Sequence, residues 1–207
     1  MRNIKTILFD LGGVIITINQ PQAVRRFETL GLKNAALCLD PYTQAGIFGD
    51  LEGGKIDDIQ FVNEISKLIG HKVTWGECQF AWRGYCGEVP QRNLSKLLQL
   101  HKRGYRIVLV SNTNPFMMSW ALSSDFDGKG NSLQTYLDKL YMSYKIGAMK
   151  PDAHFYETVI KEEPNGPSEC LFIDDGKRNV EAAASFGFNI FCPKNGEDWT
   201  QEIEGYI

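Results

Sequence analysis

Four polar clusters along this chain have the residue types for phosphate and metal chemistry. Asp10 follows the apolar run Ile7-Leu8-Phe9, and Ser111-Asn112 follows Ile107-Val108-Leu109-Val110. Lys150 stands just before a helical pattern, and Asp174-Asp175 follows Cys170-Leu171-Phe172-Ile173. Carboxylates joined by a backbone carbonyl suit Mg²⁺, which takes oxygen ligands and keeps waters. A lysine and a hydroxyl–amide pair suit the oxygens of a phosphate. Taken singly, each cluster has a plainer account. Asp10 can simply end a strand, Ser111-Asn112 can form an ordinary turn, Lys150 can be solvated, and Asp174 or Asp175 can cap a helix. Taken together, those accounts need four coincidences at the ends of apolar runs.

The elements that must position these groups follow from periodicity. Apolar runs without alternation read as strands buried on both faces, as a parallel sheet requires. Strands are expected at Ile7–Phe9, Tyr105–Val110, Lys139–Ser143, Cys170–Ile173 and Asn189–Cys192. Helices are expected over Pro21–Leu30, Asn34–Leu39, Ile56–Ile69, Thr74–Cys86, Pro90–Arg103, Pro115–Ser123, Leu133–Leu137, Asp152–Lys161 and Val180–Phe186. The alternation indicates α/β with a parallel sheet, whose strand ends gather ligand-binding groups at one edge. Gly12 and Gly13 let the chain turn sharply behind Asp10 and approach a ligand closely. Asp50-Leu51-Glu52-Gly53-Gly54 reads as a turn. Ser124–Asn131 is a polar, glycine-bearing loop.

A strand–helix–strand unit takes about 30 residues, yet about 100 separate Asp10 from Ser111. The excess is helical throughout. Residues 19–88 are therefore expected to form an inserted helical cap, and residues 1–18 and 89–207 the core. An insertion that leaves directly behind Asp10 is well placed to cover a site there. Its aromatics Tyr42, Phe48, Trp75, Trp82 and Tyr85 are expected in the cap's own core rather than as a substrate platform.

The chain has 207 residues, 43% hydrophobic and 23% charged, with a net charge of -3. No basic excess exists to neutralise phosphates, which argues against a nucleic-acid partner. No run approaches the ~20 apolar residues of a membrane span. The apolar run behind Met1–Lys5 contains an acid and lacks a cleavage site, so no signal peptide is expected. Five scattered cysteines without a Cys-x-x-Cys pair suggest neither a zinc site nor a disulfide framework, and so a reduced, cytoplasmic protein. The size is compatible with a monomer. His71, His101 and His154 have no ligand-like spacing and are given no role.

The four clusters in this order resemble the signature motifs of the haloacid dehalogenase superfamily, and the likeness spans essentially the whole chain. Phe9-Asp10-Leu11-Gly12-Gly13-Val14, Ser111-Asn112-Thr113-Asn114, Lys150 to Tyr156, and Ile173-Asp174-Asp175 with Asn179 resemble one branch in particular. That branch holds α-glucose-1-phosphatases and the N-terminal phosphatase domains of epoxide hydrolases. The resemblance implies a Rossmann-like parallel sheet core with an inserted C1-type helical cap. It also implies a Mg²⁺-dependent phosphatase of a small phosphorylated metabolite, a sugar phosphate and by preference a sugar 1-phosphate. Asp10 would be the nucleophile that carries an aspartyl-phosphate. Mg²⁺ would be held by Asp10, the Gly12 carbonyl and Asp175, with Asp174 bound directly or through water. Ser111, the Asn112 amide and Lys150 would bind the phosphoryl group. Asn179 would orient Lys150 or a metal-bound water.

The chain departs from the family pattern at Gly12, where most of these phosphatases carry an aspartate that protonates the leaving group. Glycine retains the carbonyl but removes a general acid typically worth 10²–10⁴-fold. Three accounts follow. The substrate can have a good leaving group; a cap residue, Glu52 or Trp82, or a water can replace the acid; or the protein can bind a phosphorylated ligand with little turnover. A 2-haloacid dehalogenase ranks lower, since those enzymes need no metal and lack this acid pair.

Overall fold

The computed structural model describes residues 3–39 and 46–207; Tyr42 lies outside them. Five parallel strands form one sheet in the order β3-β2-β1-β4-β5. They are β1 Thr6–Phe9, β2 Arg106–Ser111, β3 Lys139–Met142, β4 Cys170–Ile173 and β5 Asn189–Phe191. The central strand is β1, with Phe9 in register with Leu109 on one side and Ile173 on the other. The chain runs outward through β2 and β3, then returns to the opposite side of β1 for β4. The strand order therefore reverses between β1 and β4, which is where open α/β sheets bind ligands. One step beyond the paired residues at this reversal stand Asp10 and Asp174.

Every residue of β1 is buried, as its unbroken apolar run requires. Ile7 and Phe9 join one core cluster, and Leu8 joins the other. Alternate side chains thus point to opposite faces, and both faces are covered. The first face packs against α6 (Gln91–Lys102) and the helices inserted after β1; the second packs against α9 (Ala153–Glu162) and α10 (Lys177–Ser185).

Between β1 and β2 lie α1 (Gln20–Thr29), α2 (Ala35–Cys38), α3 (Gly46–Glu52), α4 (Asp58–Ile69) and α5 (Trp75–Trp82). Reciprocal capping boxes, Asp57 with Gln60 and Thr74 with Glu77, start α4 and α5. Phe27, Phe48, Phe61 and Trp82 form one aromatic cluster, with neighbouring ring centroids 5.2–5.9 Å apart. This is the expected core role for Phe48 and Trp82. The cluster extends onto α7 (Pro115–Ala121), whose Phe116 ring lies 5.5 Å from Phe61 and 5.1 Å from Trp75. The chain leaves for these helices and returns from them over one antiparallel bridge, Ile18 with Cys86. Flanking it, the Thr17 amide donates to the Glu88 carbonyl at 3.0 Å and the Gly87 amide to the Thr17 carbonyl at 2.9 Å.

Two local expectations need correction. Asp50-Leu51-Glu52 is the last turn of helix α3 rather than a turn of its own, and the reversal begins at Gly53. Lys150 does not stand at a strand end: a short helix, α8 (Ser143–Ile146), follows β3 first. Pro151 precedes the first turn of α9, whose cap is Asp152 donating no proton but accepting from the His154 amide at 2.8 Å. Among the described residues no helix is long and apolar enough to cross a membrane.

Candidate active site

A cavity of about 110 Å³ opens at the strand ends where β1 meets β4, and it gathers the residues singled out in the sequence. Asp10, Gly12, Ser111, Asn112, Asp174, Asp175, Asn179, Glu52 and Trp82 all line it. Lys150 stands behind this surface, its side chain fully buried.

The Lys150 ammonium is held by three acceptors. It donates to Asp174 Oδ2 at 2.5 Å and to the Val110 carbonyl at 2.7 Å, and lies 3.2 Å from Asp10 Oδ1. Its backbone is fixed as tightly: the Lys150 amide donates to Asn112 Oδ1 and Asn112 Nδ2 donates to the Lys150 carbonyl, both at 2.8 Å. Asn112 thereby replaces the strand end that Lys150 lacks. Asn179 Nδ2 donates to both oxygens of Asp174 at 3.1 Å, and the Gly176 amide adds a bond at 2.7 Å. Asn179 thus orients Asp174, and Lys150 only through it.

Burial pushes the Asp10 carboxyl up to about 7; Lys150 pulls it down, Asp174 and Asp175 push it up, and the Leu11 amide pulls it down. Burial, with Asp174 beside it, lifts Asp175 to about 6 against the pull of Lys150. Burial opposes the charge of Lys150, but Asp10 and Asp174 outweigh it and hold the ammonium above its ordinary value. Lys150 is therefore a fixed cation beside carboxylates whose burial disfavours their charge.

The donor set fits a further positive charge. One oxygen from each of Asp10, Asp174 and Asp175 lies within 4.8 Å of the other two. Three carboxylates against one ammonium leave an excess of two negative charges when ionised, and all the donors are oxygen, as a divalent hard cation requires. Asp174 already accepts from Lys150, Asn179 and Gly176, whereas the Asp175 carboxylate presses against the α-carbon of Gly13, where any Cβ would overlap it. Gly13 also has φ +76°, a conformation that favours glycine.

Sequence reading missed the residues that hold the loop behind Asp10. Asn93 Nδ2 donates to the Val14 carbonyl at 2.9 Å and the Ile15 carbonyl at 3.2 Å, and the Trp199 indole donates to Val14 at 2.8 Å. Asn114 was also missed: it caps α7 by accepting from the Met117 amide and donates to Glu52 Oε1, both at 3.1 Å. Only Asn114 carried a signal, as a capping residue before Pro115.

The model of haloacid dehalogenase-like hydrolases matches residues 89–187. Over 200 residues, 97% of each chain, this sequence is 45% identical to the D-ribitol-5-phosphate phosphatase of Bacteroides thetaiotaomicron. The chain belongs to the haloacid dehalogenase-like hydrolases. The structure of a predicted HAD-like family hydrolase from Porphyromonas gingivalis superposes with a TM-score of 0.93 at 36% identity, covering 99% of this chain and 98% of that one. A family enzyme from B. thetaiotaomicron, solved as a mutant with magnesium and inorganic phosphate, superposes with a TM-score of 0.89 at 29% identity, over 97% and 98% of the two chains. The hydrolase fold expected from the four motifs is the one observed.

Proposed function

We propose that this hydrolase is a Mg²⁺-dependent phosphatase of a small polyhydroxylated monophosphate, with Asp10 as its nucleophile. The observation that carries the reading is the Lys150 ammonium fixed between Asp10 and Asp174, beside a third carboxylate, at the floor of one small cavity. The relative active on D-ribitol 5-phosphate supports the substrate class, and the neighbour that holds magnesium and phosphate supports the metal and the chemistry.

Asp10 attacks phosphorus, the bond to the alcohol oxygen breaks, and the phosphoryl group rests on Asp10 until water displaces it. Ser111 Oγ, the Asn112 amide and Lys150 bind the phosphoryl oxygens as charge builds on them. Asp10, Asp175 and the Gly12 carbonyl would hold Mg²⁺, which would supply the positive charge that screens the Asp10 carboxylate from a phosphate dianion. Asp174 keeps Lys150 in place and would contribute to the metal site directly or through water. Residues 19–88 act as the cap, on the support of the Ile18–Cys86 bridge at its two connections. Five unpaired cysteines support a reducing, cytoplasmic setting.

Gly12 favours a second substrate, a sugar 1-phosphate, whose anomeric oxygen leaves with little protonation. Phosphate release from D-ribitol 5-phosphate, α-glucose 1-phosphate, glucose 6-phosphate and acetyl phosphate tests both readings, run with Mg²⁺, with EDTA, and with Asp10→Asn. The expected result is Mg²⁺-dependent release, highest on D-ribitol 5-phosphate, falling by roughly 10⁴-fold or more in the variant. Release highest on α-glucose 1-phosphate moves the assignment to the anomeric ester. Ligand bound stoichiometrically without release favours a binding protein, and halide release from 2-haloacids that survives EDTA favours a dehalogenase.

A further inference from the structure

The proposed reaction needs a proton for the departing alcohol, and the chain behind Asp10 has none to give. Residues 11–18 carry no ionisable side chain. A Cβ on Gly12 would lie 2.9 Å from Ile18 Cδ1, so Ile18 fills the space into which a longer side chain would grow. An in-line displacement places the leaving oxygen opposite the nucleophile. With Asp10 on the floor, that oxygen faces the wall formed by the inserted helices.

Among the described residues, two ionisable side chains on that wall line the cavity, Glu52 and Tyr85. The Tyr85 hydroxyl donates to the Leu39 carbonyl at 2.7 Å, which commits its proton there. Glu52 ends helix α3 and is 5% exposed. Its position is set from the core. Asn114, two residues beyond Asn112, donates to Glu52 Oε1 at 3.1 Å, and the Met117 amide fixes Asn114 in turn. Two residues after Glu52, Gly54 sits so close to the Tyr144 carbonyl that a Cβ would overlap it. A carboxyl so confined, on the leaving-group side of the cavity, is placed to exchange a proton with substrate.

We propose that Glu52 is the general acid and base of this hydrolase, an assignment that rests on the phosphatase reading above. In the first half-reaction an Asp10 oxygen bonds to phosphorus, the P–O bond to the alcohol breaks, and the Glu52 proton passes to the alcohol oxygen. In the second, Glu52 takes a proton from the water whose oxygen attacks phosphorus. The acyl-phosphate bond breaks, Asp10 regains its carboxylate, and phosphate departs. Ester and water enter, alcohol and phosphate leave, and Glu52 ends protonated as it began.

The test compares two esters in rapid-quench single turnovers of wild type and Glu52→Gln. D-ribitol 5-phosphate has a poor leaving group and p-nitrophenyl phosphate a good one that needs little protonation. The expected result in the variant is a 10²–10⁴-fold loss in cleavage of D-ribitol 5-phosphate, with under about tenfold loss in the rate of p-nitrophenol release. Phosphorylated enzyme should then accumulate, visible by intact mass, because its hydrolysis also lacks the base. Equal losses on both esters, or no loss on D-ribitol 5-phosphate, overturn the proposal. If Glu52→Gln loses the wild-type melting transition, Glu52→Asp replaces it and the same contrast decides. A wild-type enzyme that releases phosphate from neither ester instead refutes the phosphatase reading itself, before any Glu52 variant is made.

Discussion

On the floor of the cavity, Lys150 meets three acceptors, Asp174 four donor contacts, and Asn112 both backbone groups of Lys150. Glu52 lines the same cavity together with Ile18, Met117, Trp82 and Tyr85, and Trp82 belongs to the aromatic core of the inserted helices. The floor is a network of buried charges in which each group is defined by its partners. Among the described residues, the side of the cavity supplied by the inserted helices carries one carboxylate beside aromatic rings. This difference matches the two halves of a phosphate ester: the phosphoryl group is common to all of them, and the alcohol varies. A rigid charged floor can serve every substrate, while specificity and proton supply can change on the wall without disturbing it.

Three experiments bear on that contrast. The largest effect should come from Lys150→Met, which strands Asp10 and Asp174 without their buried partner. Breaking such a pair costs about 3–5 kcal/mol. The melting temperature at pH 8 should fall accordingly, and activity should fall alike on every substrate. A loss confined to one substrate would mean that floor and wall are not separate. Next comes Gly13→Ala, whose methyl must displace the Asp175 carboxylate. Mg²⁺ affinity, measured by titration calorimetry, should weaken by about 10–100-fold, as when metal ligands lose their orientation. Unchanged affinity would remove Asp175 from the metal site.

The smallest effect is one of pH. Asp10 and Asp175 rise from the ordinary carboxylate range to about 7 and about 6 in the folded, metal-free protein. Between pH 4 and pH 7 the folded state then holds more protons than the unfolded state, so stability falls as pH rises through this window. A divalent cation replaces those protons and removes the penalty. The Mg²⁺-induced rise in melting temperature should therefore be larger at pH 8 than at pH 5.5. A rise independent of pH would separate the metal from these two carboxylates.

The floor was legible because it is built from local signals. Unbroken apolar runs predict buried parallel strands, and the polar residues just past them must meet at one edge. Lys150 was identified without its true support, since the bond to Asn112 joins residues 38 positions apart. Helix α3 was missed because Gly46, Gly49, Gly53 and Gly54 crowd a short segment, and glycine disfavours helix unless packing compensates. Here Phe48 and Leu51 supply that packing, both essentially unexposed. The expected turn around Glu52 therefore concealed a helical residue facing the cavity.

By itself the sequence determined the sheet, the family and the residues of the floor, because strand burial and strand-end chemistry follow from near neighbours in the chain. Tertiary structure alone decided that Asp174 rather than Asp175 anchors Lys150, that Asn179 acts through Asp174, and that Ile18 occupies the space beside Gly12. It alone brought Glu52 to Asn114, 62 positions away, and Asn93 to Val14, 79 positions away. Those contacts are set by how packed elements meet in space, and no local pattern of residue types encodes them.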